Sequence, residues 1–75
     1  MAKAYFTLVS RLIEHGVWAP QFGDYDRETV EFEMADMKAA DRLDKRPRAL
    51  YRIVKTPSAR QHLVDAALAK LNAGV

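Results

Sequence analysis

The sequence predicts an α+β domain of order β-β-α-β-α, with a three-stranded antiparallel sheet in spatial order 2-1-3 and two helices packed on one face. Three observations predict it. An N-terminal run alternates aromatic and β-branched residues around a short glycine loop, the middle of the chain switches to a helical period, and a dense cluster of helix-start residues follows a third alternating run.

From Ala4 to Ile13, Tyr5, Thr7 and Val9 alternate with Phe6, Leu8 and Leu12, the period of a strand. Glu14, His15 and Gly16 make a loop whose glycine tolerates a left-handed backbone, and Val17 to Phe22 return as a second strand. Pro20 cannot donate to a ladder, which places that strand at an edge. Gly23 breaks the run. Asp24 or Asp26 caps a helix that carries Glu28 in its first turn and extends to about Ala40. Val30, Met34 and Met37 share one stripe of this helix, while Phe32, Ala35 and Ala39 lie nearly opposite.

Asp41 to Arg48 is a charged linker closed by Pro47, and Ala49 to Lys55 alternate again as a third strand. Thr56 with Pro57, or Ser58 with Gln61, starts the last helix, whose apolar stripe is Leu63, Val64, Ala67, Leu68 and Leu71 and whose stop is Asn72 to Gly74. A helical crossover from the second strand to the third puts the third beside the first, antiparallel to it. With both helices on one face the other face is open, and Arg11, Trp18 and Arg52 are candidates to line it.

The chain of 75 residues is read as one domain, 1–75, since so short a chain buries only about 60–65% of its unfolded surface and cannot support a second core. Its 49% hydrophobic and 29% charged residues place it among globular rather than disordered sequences. It has no cysteine, which excludes disulfides, thiolate metal sites and cysteine nucleophiles. No apolar core of a signal peptide and no membrane span of ~20 apolar residues is seen, so a soluble cytoplasmic protein is expected.

Enzymatic chemistry finds no support. His15 and His62 fall in different elements, Asp24/Asp26 and Glu31/Glu33 are spaced two apart and diverge on a helix, and Gly16, Gly23 and Gly74 form no phosphate loop. No cofactor or metal is expected.

Charge is the informative feature. Between Asp24 and Asp36 six acids face one base, Arg27, for a local charge of −5; between Lys38 and Arg60 eight bases face Asp41 and Asp44, for +6. Such a dipole steers partners better than the net charge of +2 suggests. Asp24, Tyr25, Asp26, Glu28, Glu31, Phe32 and Asp36 are the candidate partner-binding residues, with the carboxylates matching Lys/Arg sites that otherwise grip phosphate and Phe32 or Tyr25 as the desolvated anchor. The alternative is a basic nucleic-acid surface using Arg46, Arg48, Arg52 and Lys55, with Tyr51 and Trp18 available to stack on bases. A third possibility is an assembly component that forms a homo-oligomer through the open sheet face or the edge strand. A monomer or homodimer is expected.

Two stretches carry a resemblance: Trp18-Ala-Pro-Gln-Phe-Gly-Asp-Tyr-Asp-Arg-Glu-Thr-Val30, and Ile53-Val-Lys-Thr-Pro-Ser-Ala-Arg-Gln61 leading into the last helix. With them the chain resembles small proteins encoded by phages and prophages of alphaproteobacteria, a group that includes anti-CRISPR proteins. The resemblance implies a non-enzymatic inhibitor that binds a host defence complex, such as a type I CRISPR surveillance complex, and occludes its DNA-binding surface. It implies no catalytic residue.

Overall fold

In the computed structural model, residues 3–13, 16–45 and 49–74 are described. The expected order holds: β1 (Tyr5–Leu12), β2 (Ala19–Asp24), α1 (Arg27–Leu43), β3 (Ala49–Thr56) and α2 (Gln61–Ala73). The sheet is antiparallel in order β2-β1-β3, so β1 is central and the strand that carries Pro20 is indeed an edge.

Pairing of β1 with β3 is continuous, from Tyr5 opposite Thr56 to Leu12 opposite Ala49. On the other side Leu8 faces Phe22 but Val9 faces Pro20, so Gln21 is the extra residue of a bulge. The break expected at Gly23 does not occur; Gly23 and Asp24 pair with Thr7 and Phe6 as the end of β2. A Cβ at Gly23 would fall on the Tyr5 ring, so the missing side chain is what lets that ring lie across the strand end.

The helices do not share a face. Alternation points Tyr5, Thr7, Val9 and Arg11 to one side with Val54 and Arg52, and Phe6, Leu8 and Ser10 to the other with Ile53 and Tyr51. α1 lies on the second side, where Arg27 sits over the Phe6 ring and Asp41 accepts a hydrogen bond from the Tyr51 hydroxyl. α2 lies on the first, where Val64 lines one cleft with Thr7 and Tyr5, and Ala67 and Leu71 line another with Val54. The face expected to be open, with Arg11, Trp18 and Arg52, is therefore the α2 face. The physical reason is the composition of β1: it is apolar on both sides, and consecutive Thr7, Leu8 and Val9 are all buried, which requires cover on both.

The core is thin. Among the described residues Leu8, Val9, Val30 and Val64 are the buried hydrophobics. Long-range polar contacts supplement it. Asn72 Oδ1 accepts from the Trp18 backbone N–H at 2.7 Å and Asn72 Nδ2 donates to the Trp18 carbonyl at 3.2 Å, so one amide stands in for a strand partner just beyond the paired part of β2. The twelve residues from Gln61 to Asn72 rise about 17 Å and the six from Trp18 to Gly23 about the same, and Gln61 borders a cleft with Phe22 and Gly23 while Asn72 holds Trp18, so the two ends of α2 lie near the two ends of this segment.

At the helix ends one expectation holds and two do not. Asp26 caps α1: its Oδ1 accepts from the Glu28 N–H and its Oδ2 from the Thr29 hydroxyl, and Asp24 Oδ1 accepts from the Asp26 N–H one step earlier. α1 runs past Ala40 to Leu43 and stops where Lys45 adopts φ 53°, the left-handed turn that ends helices. Thr56 is drawn into the β ladder opposite Tyr5, and its hydroxyl bonds the Ser58 carbonyl, while Ser58 Oγ accepts from the Arg60 N–H; neither caps α2, which begins at Gln61.

Two stability predictions follow from this packing. The Thr7 hydroxyl is buried without a hydrogen-bond partner, so Thr7→Val is expected to stabilise the domain by about 0.5–1.5 kcal/mol in urea unfolding; a loss of stability would mean that the hydroxyl is satisfied in solution. Asn72→Leu strands both Trp18 backbone groups and is expected to cost about 1–2 kcal/mol, lowering Tm by roughly 4–16 °C. An unchanged Tm would contradict the bridge between α2 and β2.

Candidate functional site

The sequence-predicted partner-binding residues separate into two sets. Asp24, Tyr25 and Asp26 form the entry to α1. Both aspartates spend carboxylate oxygens on the turn and the helix start, and Tyr25, half exposed, packs edge-on against Tyr5 with ring centroids 5.0 Å apart. These residues hold the helix in position.

Glu28, Glu31, Phe32 and Asp36 form the second set, all exposed on α1. The helix turns ~100° per residue, so Glu28 and Asp36, four positions to either side of Phe32, flank it by about 40° each on the solvent face. Val30 is fully buried on the opposite side, so packing onto the sheet is carried there and places no demand on Phe32. The Phe32 ring is 68% exposed. Ala35, Ala39 and Leu43 continue its stripe, and Leu43 is 83% exposed. Leu43 escaped the sequence reading because the helix was ended at Ala40; its position eleven residues beyond Phe32, three helical turns, was the available signal.

Glu31 is drawn to Arg27 Nε at 3.1 Å, a pair on the open surface that contributes about 0.3–0.5 kcal/mol. Glu28 and Asp36 have no ion-pair partner among the described residues. The stripe is thus an uncovered aromatic between two unpaired carboxylates, the composition of a contact that excludes water from an apolar anchor while meeting cations at its rim.

Of the alternative basic set, Arg52 and Lys55 are the members among the described residues, and they stand apart. Arg46 and Arg48 lie outside the described residues, as does His15. Arg52 stands opposite Val9 and Lys55 opposite Phe6, so the two project from opposite faces of the sheet. Tyr51 is engaged with Asp41, and Trp18 lies 5.9 Å from the Arg11 guanidinium, its backbone held by Asn72. Neither ring is placed beside Lys55.

Among the described residues no group of three or more His, Asp or Glu is placed to hold a metal ion, and no helix is long and apolar enough to cross a membrane. No family model matches the chain, and neither the curated proteins nor the solved structures contain a match to it.

The exposure of Phe32 makes a direct prediction. Phe32→Ala removes no core contact and gains helix propensity, so stability by thermal or urea unfolding is expected to be unchanged or up to about 0.5 kcal/mol higher. A loss above ~1.5 kcal/mol would show that the ring is covered in solution.

Proposed function

We propose that this chain is a non-enzymatic protein-binding module that docks through the outer face of α1 onto a basic surface of a nucleic-acid-handling complex. The observation that carries the reading is Phe32, two-thirds exposed between Glu28 and Asp36 on a helix that packs with its other side. Carboxylates so placed can take the Lys/Arg positions that otherwise hold phosphates. The aromatic supplies the desolvated centre that surface charges alone lack. The charge layout adds steering toward such a partner.

The finer form of the proposal rests on the resemblance of the 18–30 and 53–61 stretches to small phage and prophage proteins. In that form the chain is a phage-borne inhibitor of the anti-CRISPR type. It acts in the host cytoplasm, without cofactor, by occluding the DNA-binding surface of a type I CRISPR surveillance complex.

The test is a pull-down with purified tagged protein from nuclease-treated lysate of the bacterial host, run beside the Phe32→Ala variant and the combined Glu28→Lys, Glu31→Lys, Asp36→Lys variant. Stoichiometric recovery of a nucleic-acid-handling complex by the parent chain, lost in both variants while each remains folded, is the expected result. Equal recovery by the variants would refute the α1 contact, and recovery that vanishes with nuclease would replace it with nucleic-acid binding.

A further inference from the structure

The two edges of the sheet are not equivalent. β2 is protected by Pro20, which lacks an N–H, and by the bulge at Gln21. β3 is eight residues long, free of proline, and in unbroken register with β1. Its outward backbone groups make no hydrogen bond to another segment among the described residues. Among the described residues it is the longer and more regular of the two sheet edges.

Beside that edge, between β3 and α2, lies a cleft of about 380 Å³ lined by Arg52, Ile53, Val54, Ala67, Lys70 and Leu71. Its lining is aliphatic apart from the two cations, and it contains no acid and no aromatic ring. Arg52 and Lys70 are exposed and have no ion-pair partner among the described residues. Lys55 stands on the opposite side of the same strand.

From this we infer that the β3 edge is a docking site for an extended acidic peptide segment, which adds a strand alongside β3 and places an acidic side chain between Arg52 and Lys70. Strand addition uses backbone hydrogen bonds for affinity and alternate side chains for selectivity, and this edge supplies both. Alternation sends successive side chains of the guest to opposite faces, so one acid enters the cleft while its neighbours face the side of Lys55.

A second copy of this chain is disfavoured as the guest. β3 carries Arg52 and Lys55 and no acid, so antiparallel self-pairing brings like charges together, as charged edge strands do when they resist aggregation. Nucleic acid is disfavoured because the cleft has no ring for a base to stack on. The site is separate from the α1 surface, and its test is independent of that reading.

The probe is a short fluorescein-labelled peptide alternating Glu with Val, titrated by fluorescence anisotropy against the full chain. Three comparators accompany it: its Lys-for-Glu counterpart, a version N-methylated along one backbone edge, and an oligothymidine of similar length. Saturable binding of the Glu peptide is expected, weakened at least ~10-fold by the Lys exchange, by N-methylation or by Lys70→Glu, and unchanged by Phe32→Ala. The combined Arg52→Glu, Lys70→Glu variant is expected to prefer the Lys peptide. Lys70 lies on the exposed side of a helix, so its single variant tests the site even if the double variant fails to fold. Absence of saturable binding at ~1 mM would overturn the proposal. So would equal binding of the N-methylated peptide, which would reduce the contact to surface charge, or tighter binding of the oligothymidine, which would make the edge a nucleic-acid site.

Discussion

Everything in this domain hangs on β1, among the described residues the one strand paired on both edges and covered on both faces. A strand whose consecutive residues Thr7, Leu8 and Val9 are all buried cannot lie on the outside of a two-layer fold, because its side chains alternate. The helices therefore divide the sheet between them, α1 over Leu8 and α2 over Thr7 and Val9. This arrangement uses up the inward stripe of each helix: Val30 with Met34 and Met37 on α1, and Val64 with Ala67 and Leu71 on α2. With so few residues fully buried, single bridges matter, and the pairing of Asn72 with Trp18 ties the last helix to the start of an edge strand fifty-four residues earlier.

What remains outside that packing is where function is available. The solvent side of α1 carries large apolar side chains that the fold does not use, set among acids. Beside the β3 edge stand Arg52 and Lys70, which have no ion-pair partner among the described residues. These surfaces lie on different sides of the sheet and have opposite charge, so the molecule can present an acidic helix to one partner and a basic strand edge to another. Part of the segregated charge of the sequence thus becomes a spatial segregation: Glu28, Glu31, Glu33 and Asp36 fall on the first three turns of α1, Arg52 and Lys55 fall on β3, and Lys38 and Arg42 of the basic block close α1.

Much of this was legible from residues alone. Pro20 placed β2 at an edge, the stripe of Val30, Met34 and Met37 oriented α1, and strand order followed from the crossover. The side taken by α2 was not legible, because a short β-α connection lets a helix fold back over either face. The deciding signal was the two-sided apolar character of β1, which was read only as a strand pattern. The capping residues of α2 were misread for a related reason: Thr56 satisfies both a helix-start and a strand pattern, and pairing with Tyr5 prevails. At the candidate surface, Phe32, Glu28 and Asp36 were found by helical spacing. Asp24 and Asp26 were assigned to a partner although their short acceptors serve the helix start. The cleft at Arg52 and Lys70 joins residues from separate elements that no local pattern connects.

The most direct test of this account is a nuclear Overhauser measurement on the isotopically labelled protein, using methyl groups on the two sides of β1. Contacts from Val64 to the Thr7 methyl and from Val30 to Leu8, with none between α1 and α2 side chains such as Met34 and Leu68, are predicted. Contacts from Val64 to Leu8, or between Met34 and Leu68, would put both helices on one face and contradict it.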